Sequence, residues 1–109
     1  MKTPIAGIAN TDIAWNGDYL GYAPDISGDT AKVVDAKNPD DIDDLILALK
    51  DPLKFVAAHV ALTLVSGTSY STYPEWNELR IEIDDAGIAR CDPDQRFELI
   101  DRWRTQFLR

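Results

Sequence analysis

Cysteine, histidine, positive charge and long apolar runs are all scarce in this chain of 109 residues, and each scarcity excludes something. The one cysteine, Cys91, rules out an intramolecular disulfide and fits a reducing compartment. With a single histidine, His59, there is no C-x-x-C or H-x-x-x-H pair, so no zinc site is expected. Gly7, Gly17, Gly21 and Gly28 are scattered and match no phosphate-binding loop. The longest apolar run, 55–65, is interrupted by His59 and Thr63 and is too short to span a bilayer. The first seven residues carry one lysine and no sustained apolar run, so no secretory signal is expected. Eleven Lys and Arg face 19 Asp and Glu, giving a net charge of −8. A phosphate-binding groove needs clustered cations, so nucleic acid is not an expected partner. These exclusions describe a soluble, cytoplasmic, single-domain protein with no cofactor, no metal and no membrane contact. An acidic surface of this kind suits basic partners, cations, or plain solvation; of partners, a protein is the one expected.

What is present is mainly architecture. Three helix starts share one grammar: Asn38-Pro39-Asp40-Asp41, Asp51-Pro52-Leu53-Lys54 and Asp92-Pro93-Asp94-Gln95. Each places an Asx oxygen at the N-cap and proline at the first helical position. In the first and third, Asp41 and Gln95 sit where a capping box needs them. The first helix is predicted over about 39–50, with Ile42, Leu45, Ile46 and Leu49 as one apolar stripe. The second is predicted over about 52–66 and is apolar nearly all round, so it must be wrapped by the rest of the chain. Together they form an αα-hairpin. Leu79-Arg80-Ile81-Glu82-Ile83 alternates as a half-buried strand, and Ile88 to Cys91 returns from the Asp84-Asp85-Ala86-Gly87 turn. A C-terminal helix follows over about 93–108, with Phe97, Ile100, Trp103 and Phe107 inward. In the N-terminal third, Ile5 to Ile8 reads as a short strand, Asn16-Gly17 as a type I′ turn and 29–36 as a short helix. The fold class is therefore α+β: an αα-hairpin and a C-terminal helix packed with a small antiparallel β-hairpin. Leu64, Val65, Ile81 and Ile83 complete the expected core.

The run from Asp51 to Leu64, Asp-Pro-x-x-Phe-Val-Ala-Ala-His-Val-Ala-Leu-Thr-Leu, together with the helix before it, resembles a helical hairpin of the HEAT-type repeat class. The likeness covers 39–66, and one unit is visible where a solenoid stacks several. The whole chain, with Trp15-Asn16-Gly17-Asp18-Tyr19 and Trp76-Asn77-x-Leu79, is similar to a family of small uncharacterised bacterial proteins. What the resemblance implies is a helical interaction scaffold rather than an activity.

His59 is the one imidazole, and it lies on a face with Phe55, Leu62 and Thr63. Three readings stand: a structural histidine bonded to backbone or to a Trp or Tyr, a pH-sensitive or binding group, and a catalytic base working with a carboxylate. Cys91 precedes the Asp92-Pro93 helix start, where a dipole lowers a thiol pKa; the alternative is a small buried hydrophobe. Asp40, Asp41, Asp43 and Asp44 lack the alternating ligands and central glycine of a calcium loop, and read as capping and solvation. Trp15, Asp18, Tyr19, Tyr22, Tyr70, Tyr73 and Trp76 form the candidate binding set, either as one aromatic groove edged by acids or as a minicore pinning the N-terminal segment. The functional expectations are a non-enzymatic protein-interaction module, an acidic immunity-type antagonist of a basic enzyme, or a small enzyme using His59.

Overall fold

The centre of the molecule is the α-helix Phe55–Ser66, whose nine consecutive residues Phe55 to Thr63 are all buried. A computed structural model describes residues 4–18, 21–72, 75–83 and 89–107 of the chain. In order, a 3-10 turn Pro4–Gly7 and another at Asn10–Asp12 lead into β1 (Ile13–Asp18) and β2 (Gly21–Ile26). Then come α1 (Gly28–Ala36), α2 (Ile42–Ala48), α3 (Phe55–Ser66), β3 (Glu82–Ile83), β4 (Ala89–Arg90) and α4 (Arg96–Phe107). The class is α+β. The helices α1 and α2 pack on α3, and α4 packs against α2. Each β element is an antiparallel pair, β1 with β2 and β3 with β4.

Two of the three Asx-Pro starts behave as their sequence dictates. Asn38 Oδ1 accepts from Asp40 N at 3.0 Å, and Asp92 Oδ1 accepts from Asp94 N at 2.9 Å. Each opens a 3-10 turn that runs into α2 or α4. The capping box at Gln95 does not form. Its side chain is buried and instead clamps the backbone of Arg80, accepting from Arg80 N at 2.9 Å and donating to Arg80 O at 3.1 Å. The second start, Asp51-Pro52, is corrected more deeply. Asp51 does cap a turn, accepting from Leu53 N at 2.8 Å, but α3 begins only at Phe55.

The cap of α3 comes from Asn10, far away in sequence. Asn10 Oδ1 accepts from Val56 N at 2.9 Å, its amide donates to Pro52 O at 2.8 Å, and its backbone N–H donates to Leu53 O at 2.8 Å. One residue thus satisfies a free N–H of the helix and holds the preceding turn. Asn10→Ala should cost about 1–2 kcal/mol, read as a lower urea midpoint with an unchanged slope. At the other end, Gly67 closes α3 with φ 70°. A Cβ there would meet nothing within 4 Å, so Gly67→Ala isolates the cost of the left-handed backbone. It should destabilise by about 1 kcal/mol, with Gly67→Asn milder, measured by thermal melting.

The N-terminal third differs most from the sequence reading. Ile5 to Ile8 is not a strand: Pro4–Gly7 is a 3-10 turn that buries Ile5 and Ile8 in the core. Asn16-Gly17 is not a turn either. Both lie inside β1, opposite Ala23 and Tyr22, and the hairpin closes at the Asp18–Gly21 pair. Gly21 sits where a Cβ would come within 2.8 Å of the Thr72 carbonyl, so only glycine permits this approach of β2 to the 68–72 segment. Asp12 ties the piece to α1, accepting from Thr30 Oγ1 at 2.8 Å and from Thr30 N at 3.3 Å.

In the core, Phe97 is a correction. It is 64% exposed, while Leu99 takes the inner position at 2%. Leu64, Val65 and Phe107 are half-buried, and the Ile83 side chain lies outside the described residues. The 84–88 turn lies outside them too. No helix among the described residues is long and apolar enough to cross a membrane.

Candidate functional site

The polar residues that matter gather where α3, α4 and the turn before β3 meet. The turn is Trp76-Asn77-Glu78-Leu79. Its ends exchange backbone hydrogen bonds, Trp76 N to Leu79 O at 3.1 Å and Leu79 N to Trp76 O at 2.9 Å. Both central residues have positive φ, 46° at Asn77 and 70° at Glu78, which is the type I′ arrangement. Asparagine tolerates that conformation, whereas glutamate pays roughly 1 kcal/mol for it.

This turn aims the Asn77 carbonyl at His59. His59 Nε2 lies 2.8 Å from Asn77 O, and Trp103 Nε1 donates to His59 Nδ1 at 2.9 Å. An indole nitrogen only donates, so Nδ1 is the acceptor and the ring proton is on Nε2, donated to Asn77 O. The ring is completely buried and sits edge-on between Trp76 and Trp103, with centroids 5.9 and 5.8 Å away. Burial is the main reason that its pKa falls to about 3; the hydrogen bond to Asn77 opposes this and the charge of Arg102 adds to it. At neutral pH His59 is a neutral imidazole with both nitrogens engaged.

The network extends from there. Thr63 Oγ1 donates back to the His59 carbonyl at 2.8 Å, one helical turn away. Asn77 Nδ2 donates to the same Thr63 oxygen at 2.7 Å, and Asn77 Oδ1 accepts from Arg102 Nη2 at 2.7 Å. The Arg102 guanidinium lies 4.4 Å over the Trp103 ring and pairs through Nε with Glu78. Asn77 and Arg102 are what the sequence reading missed; helical spacing already places Thr63 on the face of His59. The one cue to Asn77 was its position beside Trp76.

The aromatic set is partly brought together. Trp15 from β1 and Tyr70 from the 68–72 segment both pack on Trp76, with centroids 5.6 and 4.7 Å away. Tyr22 of β2 is half-buried, and its backbone N–H donates to Thr72 O at 2.8 Å, so the β1–β2 pair does meet that segment. Trp76 itself is 1% exposed and acts as a pillar between them and His59. Tyr70, 43% exposed, is the most open of the described set. Tyr19, Tyr73 and the Asp18 side chain lie outside the described residues.

Cys91 is not activated. Burial, with the charge of Glu82, pushes its thiol up to about 12, the opposite of the lowering expected beside a helix start. With Asn10, Ile13, Trp15, Val56 and Arg90 it lines an open concavity of about 270 Å3. Among the described residues, no three His, Cys, Asp or Glu side chains converge as metal ligands would. The Asp43 and Asp44 side chains are exposed on α2. The arrangement around His59 can hold three elements rigidly together; it offers no free acid, base or nucleophile to a substrate. Comparison of the chain with protein-family models, with curated proteins and with solved structures finds no match.

Proposed function

We propose that the protein is a non-enzymatic protein-interaction module. The observation that carries this reading is the enclosure of His59: both ring nitrogens are bonded within the fold, to Asn77 O and to Trp103 Nε1. The reading of His59 as a base paired with a carboxylate has no support in that geometry. The exposed side chains of Leu47, Leu53 and Phe97, 56, 73 and 64% open on a chain of net charge −8, are apolar surface available to a partner and are in keeping with this reading. A HEAT-like role for the α2–α3 hairpin, a protein rather than a nucleic-acid partner, and a reducing, cytoplasmic setting belong to the same reading. They are supported by the packing of α2 on α3, the excess of acids and the lone cysteine.

Affinity capture with the full chain, run beside an unrelated protein of equal negative charge, tests it. A partner held stoichiometrically by this chain and not by the control is the expected result; recovery of nothing beyond the control overturns it. The acidic charge also favours the narrower reading, an antagonist that blocks a basic enzyme. In that case association slows steeply as salt rises, and an association rate indifferent to salt removes it.

A further inference from the structure

Leu47 is the exception on its helix. Ile42, Leu45 and Ile46 of α2 are buried, while Leu47 stands 56% exposed. It forms a ridge shared by two concavities. One, of about 400 Å3, is walled by Ile5, Ala48, Asp44 and Asp51; the other, of about 440 Å3, by Ile46, Asp43 and Arg104. An apolar ridge with a hollow on either side is the shape that receives a second helix, whose own side chains seat to left and right of it.

Charge selects the occupant. Asp43, Asp44 and Asp51 edge the hollows, and Asp40 and Asp41 stand at the N-terminal end of the same helix. Two cations share this face, Lys54, whose ammonium donates to the Ala6 carbonyl at 2.9 Å, and Arg104; against these five aspartates the face stays acidic. A second copy of this chain, itself at −8, would be repelled.

We propose that this face docks a basic amphipathic helix of a partner protein, with apolar side chains flanking Leu47 and Lys or Arg meeting the aspartates. The proposal rests on the interaction-module reading and adds its surface and the chemistry of its partner. The docked helix presents apolar residues at helical spacing along one side and cations on both shoulders. Binding is entropically favourable at Leu47 and steered by the aspartates, so it weakens as salt rises.

The test titrates the isotope-labelled full chain with a synthetic Leu/Lys amphipathic helix of about 18 residues and follows amide shifts. The same peptide with Glu for Lys, and one with Ser for Leu, are the controls. Shifts confined to 43–48, Ile5, Ala6, Asp51, Lys54 and Arg104 are expected, with neither control binding. Leu47→Ser should weaken binding about 10-fold, as loss of a central apolar anchor does. Replacing Asp43, Asp44 and Asp51 together by Asn should weaken it comparably and flatten its dependence on salt. Leu47, Asp43 and Asp44 are exposed, and asparagine at 51 keeps the oxygen that accepts from Leu53 N, so the folded spectrum of each variant is the check that the fold persists. Shifts centred elsewhere, such as around Tyr70, shifts spread over the whole acidic surface, self-association, or an unweakened Leu47→Ser each overturn the proposal. Those results leave the interaction-module reading standing, because affinity capture assumes no particular face and fails on its own terms.

Discussion

Replacing Trp103 by alanine leaves the protein largely unfolded at about 37 °C. Trp103 is wholly buried, stacks on Phe107 at 5.9 Å and carries Arg102 on its face. Deleting so large a core side chain costs about 3–5 kcal/mol. It also strips His59 Nδ1 of its donor inside the core, worth about 1–3 kcal/mol more. The sum is comparable to the whole stability of a small domain, about 5–15 kcal/mol. Trp103→Phe separates the two contributions, since it keeps most of the apolar volume and loses only the indole N–H. It should cost about 1–3 kcal/mol by urea denaturation. If Trp103→Phe unfolds at the parent's midpoint, the bond to His59 contributes nothing.

Acid should destabilise the fold well before its carboxylates titrate. His59 is held neutral in the folded state, with a pKa of about 3, against about 6.5 in an unfolded chain. Below about pH 6.5 the unfolded state takes up a proton that the folded state refuses, so stability falls. The sign is that of a depressed pKa: the stabilisation is complete above the unfolded value and drains away as pH drops toward the folded one. His59 alone gives a slope approaching about 1.4 kcal/mol per pH unit. The charge of Arg102, one of the causes of that low value, extends the loss to lower pH without changing the slope. Asp41 acts in the opposite direction, because burial and the charges of Asp44 and Asp40 raise its pKa, but it is largely solvated. Urea midpoints at pH 7, 6, 5 and 4 check the slope. Nitrogen NMR of the ring checks the cause: Nε2 protonated and Nδ1 bare down to about pH 4. A midpoint that is flat from about pH 7 to 5 contradicts the enclosure of His59.

The local rules of the chain were legible wherever the partner lay nearby in sequence. Asn38 and Asp92 cap their own turns because the acceptor and the N–H are two residues apart. The burial of α3 was readable from its composition alone. Of the three readings of His59, the structural one names the bonds observed, to a backbone carbonyl and to a tryptophan. Which carbonyl and which tryptophan was not legible, since Asn77 and Trp103 lie on other elements. On α4 Ile100 and Trp103 are buried as expected, and Phe97 alone failed, for a different reason. Phe97 stands three residues before Ile100 and Leu99 four before Trp103, so helical spacing cannot choose between them. The buried Gln95 side chain, just before α4, ties the start of the helix to the Arg80 backbone, a contact between elements that helical spacing does not encode. The aromatic set divides similarly: sequence brings Trp15, Tyr70 and Trp76 forward as one group, and packing then sinks Trp76 beneath the other two.

The Asn10 cap has a consequence for how the protein assembles. The helical hairpin at 39–66 is incomplete on its own, because the oxygen that takes the Val56 amide in the first turn of α3 arrives from a segment that joins by long-range closure. A peptide spanning that hairpin alone keeps the bond from Phe55 N to Asp51 O but would fray at Val56. In the intact chain the Val56 amide should exchange with solvent only when the N-terminal segment also detaches, tying the opening of the central helix to the most irregular third of the sequence.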